Sequence, residues 1–189
     1  MTAEALRRAK DLTRNVFRLL DDAKLLNEHE RYSSAYALAI LALEEVGKLL
    51  FILWGVPEPK KSRHVVKQRA VGALLMSQWI DKEFGHHETL NEELIERGAK
   101  ALSESSPGRL SEFIEMTVLD KAKQAALYSD EWSADFDPVL AREDAGMLLD
   151  MVVQAVGAIP DPRALEGGAH LFEVMTHLAQ RRASAANAK

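Results

Sequence analysis

The sequence has no cysteine among its 189 residues. Disulfides, thiolate metal ligands and thiol nucleophiles are therefore excluded, which fits a reducing cytoplasm. Residues 1–17 are charged throughout and have no apolar core before a small-residue cleavage site, unlike a secretory signal. The apolar stretch in residues 31–54 is interrupted by charge well short of the roughly 20 apolar residues that a membrane span needs. We therefore expect a cytoplasmic protein that does not enter a membrane.

Patterns typical of strands, cofactor sites and metal sites are also missing. No run alternates in hydrophobicity for long enough to predict a strand, and no repeat or low-complexity tract occurs. Nothing resembles a P-loop, a G-x-S-x-G elbow or a dinucleotide fingerprint, so we expect no cofactor. His86 and His87 are adjacent and would diverge on a helix, and no carboxylate lies at a metal-ligand spacing from them. We expect no metal.

Positive charge is in deficit overall but concentrated locally. The net charge of −5 and the isoelectric point near 5.7 argue against broad adhesion to nucleic acid or anionic lipid, and we expect no DNA partner. One segment differs, because it groups five cations around His64: Lys60, Lys61, Arg63, Lys67 and Arg69.

Helical periodicity and capping residues dominate the rest of the chain, with Thr2 a candidate N-cap. The predicted helices cover residues 2–27, 31–54, 62–84, 89–103, 106–128 and 141–159, and a last helix starts at Asp161-Pro162. We expect Gly167-Gly168 to loosen that last helix, and residues 180–189 to form a mobile tail. The predicted fold is all-α, a single domain over residues 1–189 that forms an antiparallel bundle of six or seven helices.

The predicted helix at 31–54 is apolar on nearly every face, except at Glu44, Glu45 and Lys48. Both carboxylates are within helical reach of the ammonium, so one interpretation is an ordinary surface ion pair. The apolar flanks favour another, in which at least one carboxylate lies at an interface and needs a partner from another helix. The candidate partners for such a carboxylate are Lys67, Arg69 and Lys123. We predict that Glu45 pairs with a cation from the third or fifth predicted helix.

His64 and Lys67 are three residues apart and share a helix face. A histidine can move a proton near neutral pH, and Lys67 or Arg63 can hold a phosphate, a combination suited to RNA cleavage through the 2′-hydroxyl. The alternative is a solvated basic turn. Arg163 and His170 form a further candidate pair, which can also be read as structural or merely exposed.

Three stretches taken together resemble the AbiV-type abortive-infection proteins, a branch of the HEPN superfamily. They are AYALAILALEEVGKLLFI, then His64-Val-Val-Lys67, then the stretch from Lys123 to Asp130, and the likeness covers roughly residues 5 to 160. The positions that match the family motifs are Glu45, Lys48, His64, Lys67, Lys123, Tyr128 and Asp130.

This resemblance implies a HEPN-like helical bundle, often a homodimer, in bacterial antiphage defence. Many HEPN relatives are metal-independent ribonucleases that join an arginine and a histidine from two subunits. That R-x4-6-H signature is missing around His64, and its only formal match here is the Arg163 to His170 pair. Three hypotheses stay open: a toxic effector that arrests translation or cleaves RNA, a non-catalytic bundle that binds a host or phage protein, and a small-ligand module.

Overall fold

The structure is a computed structural model, and it describes residues 1–57, 64–84, 101, 104–116, 118–127 and 138–187. Within these ranges the chain forms helices and no strand, which confirms the all-α prediction. The helices are α1 (Ala3–Glu28), α2 (Tyr32–Trp54), α3 (His64–Phe84), α4 (Ser106–Glu115), α5 (Val118–Leu127), α6 (Pro138–Ala158) and α7 (Pro162–Asn187). None of these described helices has the length and apolar character needed to cross a membrane.

Local capping explains several helix ends. Thr2 is the N-cap of α1 as predicted, and its hydroxyl accepts a hydrogen bond from the amide of Ala5. α2 ends at Gly55, whose φ of 67° lies in the left-handed region that glycine adopts without strain. Asp161 caps the start of α7 by accepting from the amide of Arg163.

Two predicted helices need correction, and a third cannot be compared. Residues 106–128 were expected to form one helix, but α4 ends after Glu115 and α5 begins at Val118. α6 begins at Pro138 rather than at 141, because proline is well tolerated in the first turn of a helix. Nearly all of the predicted helix at 89–103 lies outside the described residues.

α7 is continuous through Gly167 and Gly168, so the expected loosening was wrong. A β-carbon at Gly167 would lie 2.1 Å from Ser77 Oγ, and one at Gly168 would lie 3.0 Å from Leu74 Cα. The glycine pair therefore lets α7 approach α3 closely. α7 also extends to Asn187, so part of the predicted tail is helical, while its mobility stays a prediction.

α2 lies at the centre of the packing and contacts α1, α3, α5 and α6. The alanines of its first half are fully buried, and four larger side chains fill the remaining space: Ile40, Leu43, Leu50 and Phe51. Full burial of each such side chain contributes about 1.5–3 kcal/mol. Since the helix is buried on several sides, a charged side chain on it has little access to solvent.

Gly47 sets the distance between α2 and α3. A β-carbon at this position would lie 2.3 Å from the backbone oxygen of Lys67, closer than atoms can approach. Glycine therefore permits backbone contact at this crossing. Glu44 lies on α2 one turn before Gly47, so the same contact brings its carboxylate to the first turns of α3.

Candidate functional site

Glu44 is the centre of a polar cluster that joins three helices. Its side chain is 5% exposed, and its two carboxylate oxygens meet different partners. Oε2 lies 2.6 Å from Nδ1 of His64 on α3, and Oε1 lies 2.6 Å from Nζ of Lys123 on α5. Gln68, one turn after His64, donates from Nε2 to Oε1 at 3.3 Å. The carboxylate that sequence reasoning placed in an apolar helix is thus fully partnered.

Lys123 supplies the positive charge that compensates this carboxylate. Its side chain is 3% exposed, and its ammonium also lies 3.2 Å from the buried Oδ1 of Asp120, at ion-pair distance but without hydrogen-bond alignment. The same ammonium is 3.0 Å from Nδ1 of His64. Burying one of these charges without its partners would lower the stability of the fold, so the charged groups of the cluster depend on one another.

His64 is a member of the cluster that reaches the protein surface. It is the first residue of α3, and 44% of its side chain is exposed, whereas Glu44 and Lys123 are buried. Nδ1 faces Glu44, and no hydrogen bond to the other ring nitrogen, Nε2, is found within the described ranges. The imidazole is therefore held by the protein through Nδ1, while part of its ring is open to solvent.

Lys67 lies one turn after His64 and is only 8% exposed. Among the residues that the structure describes, no carboxylate pairs with its ammonium. Arg69, the other cation on this part of α3, donates from Nε to Glu115 Oε1 on α4 at 2.9 Å. A buried cation without a compensating anion is a candidate anion-binding group.

Glu45 does not belong to the cluster. Among the described residues its ion-pair partner is Lys48 on the same helix, so the predicted pairing with another helix was wrong. Both side chains are partly exposed, at 16% for Glu45 and 26% for Lys48. The interhelical pair expected of Glu45 is made instead by its neighbour Glu44.

Three cluster members have the atom types of metal ligands. Ligand atoms of Glu44, His64 and Asp120 lie within 4.8 Å of one another. The ammonium of Lys123 lies among them, at 2.6, 3.0 and 3.2 Å from atoms of these residues. A metal ion bound at about 2.0–2.2 Å from such ligands would have to displace that ammonium. In this structure the ammonium of Lys123 thus occupies the position that a metal cation would take.

Two other predicted site residues, Arg163 and His170, are not brought to the cluster. Arg163 and His170 are exposed on α7, and no described contact joins them to Glu44 or His64. Tyr128, Asp130 and Arg63 lie outside the described residues.

Sequence reasoning missed Gln68 and Asp120. Gln68 is four residues after His64, and Asp120 is three residues before Lys123. Helical spacing therefore places Gln68 on the same face as His64, and Asp120 on the same face as Lys123. This spacing is the sequence signal by which both residues could have been found.

Comparison with known proteins identifies a family. The family model HEPN_AbiV, described as AbiV, matches residues 4–136. No curated protein and no solved structure gives a significant match. The matched range contains every residue of the Glu44 cluster and excludes α7, on which Arg163 and His170 lie.

Proposed function

Because this chain belongs to the AbiV family of HEPN proteins, we propose that it is an abortive-infection effector that cleaves RNA without a metal ion, with His64 as the general base. Membership of the family suggests a role in abortive-infection defence. The observation that carries the chemical part of the proposal is the half-exposed imidazole of His64, anchored through Nδ1 to a buried carboxylate. This is the arrangement that a positioned proton acceptor needs.

The proposed reaction is a transesterification within the RNA chain. Nε2 of His64 takes the proton of a ribose 2′-hydroxyl, and the 2′-oxygen forms a bond to the adjacent phosphorus. The bond from phosphorus to the 5′-oxygen breaks, and that oxygen takes up one proton from solvent. His64 returns the proton from Nε2 to solvent, so the step consumes no net water. The products end in a 2′,3′-cyclic phosphate and a 5′-hydroxyl.

Lys67 is the proposed phosphate-binding residue. Lys67 lies one turn after His64 on the same face of α3, and the residue is 8% exposed without an anionic partner among the described residues. A phosphate oxygen would compensate this charge and would in turn be stabilised as negative charge develops during attack. The burial of Lys67 thus supports a bound anion beside the base.

The test is cleavage of a short labelled RNA by the purified protein in EDTA. We expect products with 2′,3′-cyclic phosphate ends, and a rate reduced by roughly 10²–10⁴ in His64→Ala, the usual range for a lost base. His170→Ala is the matched control, since that histidine is exposed on α7, and it should cleave at the wild-type rate. Equal cleavage by wild type and His64→Ala, or loss of cleavage in His170→Ala, would contradict the proposal.

A second candidate function is binding of a host or phage protein by a non-catalytic bundle. It is favoured by apolar exposure on α1, where Leu6 is 44% and Phe17 is 50% exposed beside a groove of about 420 Å³. Clustered exposed apolar side chains of this kind often mark interaction surfaces. In this reading the Glu44 cluster is structural, and toxicity in cells is lost in Phe17→Ser but kept in His64→Ala.

The homodimer implied by the family resemblance is likewise a proposal. Closed twofold assemblies are the commonest oligomers of soluble proteins. Light scattering at micromolar concentration should then give twice the chain mass of 21.0 kDa. A mass of one chain that persists at high concentration would contradict the dimer.

A further inference from the structure

We propose that Glu44 and Lys123 are positioning residues that fix the tautomer of His64, with the proton on Nδ1 and the lone pair of Nε2 facing outward. This inference rests on the proposed function, in which Nε2 accepts the proton of the 2′-hydroxyl. It adds two buried residues from α2 and α5 to the site, and it is tested by a property of the imidazole that can be measured without RNA.

The distance from His64 to Glu44 determines where the proton lies. Nδ1 of His64 is 2.6 Å from Oε2 of Glu44, a separation that two unprotonated acceptor atoms would not tolerate. A carboxylate can only accept, so this contact requires Nδ1 to carry the hydrogen and donate it. The Lys123 ammonium lies 3.0 Å from the same Nδ1, but it is closer to Oε1 of Glu44, at 2.6 Å, and we infer that it donates there. In the neutral ring the second nitrogen, Nε2, then has no hydrogen and can act as a base.

Lys123 keeps Oε2 available for the histidine. Its ammonium donates to Oε1 at 2.6 Å, and Gln68 donates to the same oxygen at 3.3 Å. Charge-assisted hydrogen bonds of this kind are the strong ones, so Oε1 is taken by α5 and α3 together. The carboxylate therefore divides its two oxygens, with Oε1 for the fixed cation and Oε2 for the imidazole.

Because the two oxygens of Glu44 have different partners, an isosteric variant can test which partner each oxygen serves. In Glu44→Gln the side chain keeps its shape but has one oxygen and one NH₂ group. Because Lys123 can only donate, it donates to the single amide oxygen of the substituted side chain. The NH₂ group of that amide then faces Nδ1 of His64. Nδ1 must accept from this amide, so the proton of the neutral ring moves to Nε2. Glu44→Gln is thus expected to reverse the tautomer, an effect that loss of packing alone would not produce.

The measurement is a long-range ¹H–¹⁵N correlation spectrum of the histidine rings at alkaline pH, which distinguishes protonated from unprotonated ring nitrogens. The wild-type protein should show His64 with a protonated Nδ1 and an unprotonated Nε2. A wild-type spectrum with the proton on Nε2 would overturn the inference, and this result requires no variant to fold.

Glu44→Gln should show the reversed tautomer, and Glu45→Gln is the matched control. Glu45 is the next residue on α2 but pairs with Lys48, so its variant should keep the wild-type tautomer. An unchanged tautomer in Glu44→Gln would overturn the role of the carboxylate. Addition of Lys123→Met to Glu44→Gln removes the stronger donor and should restore part of the Nδ1–H signal. No restoration would overturn the role of Lys123.

RNA cleavage separates this inference from the proposed function. If His64 has the predicted tautomer but the protein cuts no RNA, the positioning of His64 is supported and the proposed reaction fails. If the protein cuts RNA through His64 while the proton lies on Nε2, the proposed reaction stands and the positioning fails. When both hold, Glu44→Gln should slow cleavage by up to roughly 10²–10⁴, the range for a lost base, while Glu45→Gln should not.

Discussion

Glu44 and Glu45 are neighbours on α2, yet their environments have little in common. Glu44 is 5% exposed and contacts His64, Gln68 and Lys123 from two other helices, whereas Glu45 pairs with Lys48 of its own helix. Successive residues on a helix point about 100° apart, so one residue faces the α3 and α5 side and the next faces away. The comparison shows that the same side chain can be a buried hub or a local ion pair, depending on helix register.

Gly47 gives the physical reason for the difference. Close contact of its backbone with Lys67 brings α3 against one face of α2, and that face is the one on which Glu44 lies. Glu45 lies beyond the edge of this contact and keeps partial access to water. A buried carboxylate must then obtain its compensating charge from the helices that cover it.

The largest effect is expected when Glu44 loses its cation. Lys123→Met should lower the free energy of unfolding by about 3–5 kcal/mol, because the buried carboxylate loses its strongest partner. Urea denaturation followed by circular dichroism measures this loss. Lys121→Met is the matched control: Lys121 is exposed on the same helix, and its variant should stay within about 0.5 kcal/mol of wild type. Equal losses in the two variants would mean that the Glu44 cluster carries no special stability.

Widening the crossing between α2 and α3 should cause the next largest loss in the free energy of unfolding. Gly47→Ala places a methyl group 2.3 Å from the backbone oxygen of Lys67, so the helices must separate. Overpacking of this kind costs about 1–3 kcal/mol and sometimes more.

Gly146→Ala is the control for that variant. Nothing lies within 4 Å of a β-carbon at Gly146, which is inside α6. There the change should stabilise the protein by about 0.5–1 kcal/mol, since alanine is the better helix former. Thermal or urea melts of both variants test the contrast, and a Gly47→Ala protein as stable as Gly146→Ala would refute the close crossing.

The smallest effect is expected for the partly exposed pair. Glu45→Gln should cost less than about 1 kcal/mol, because Lys48 remains partly solvated when its partner is neutralised. The same urea melts measure it. A loss as large as that of Lys123→Met would mean that Glu45 is a buried partner after all, as the apolar flanks of its helix first suggested.

The sequence predicted helix starts and the central place of α2 because these depend on local signals. Thr2 and Asp161-Pro162 mark the starts of α1 and α7 within a few residues, and the mostly apolar sequence of residues 31–54 predicts a buried helix at α2. The break between α4 and α5 was missed, since it occurs inside a stretch whose apolar spacing continues.

The site was predicted only in part, for a reason specific to α2. A helix that is apolar on nearly every face does not reveal which side each charge occupies, so Glu45 was chosen where Glu44 is buried. The contact between Glu44 and Lys123 spans 79 positions and depends on how three helices pack. His64, Lys67 and Lys123 were recognised as residues, but their arrangement required the backbone contact at Gly47.

Paired double-mutant cycles, measured in urea, test most directly the claim that Glu44 rather than Glu45 is the hub. The first cycle combines Glu44→Gln with Lys123→Met, and the second combines Glu45→Gln with Lys48→Met. We predict a coupling of about 1.5–3 kcal/mol for the first pair, in the upper range for residues that share a buried network. The second pair should give about 0.5 kcal/mol or less. Equal couplings in the two cycles, or a larger one for Glu45 and Lys48, would contradict the account.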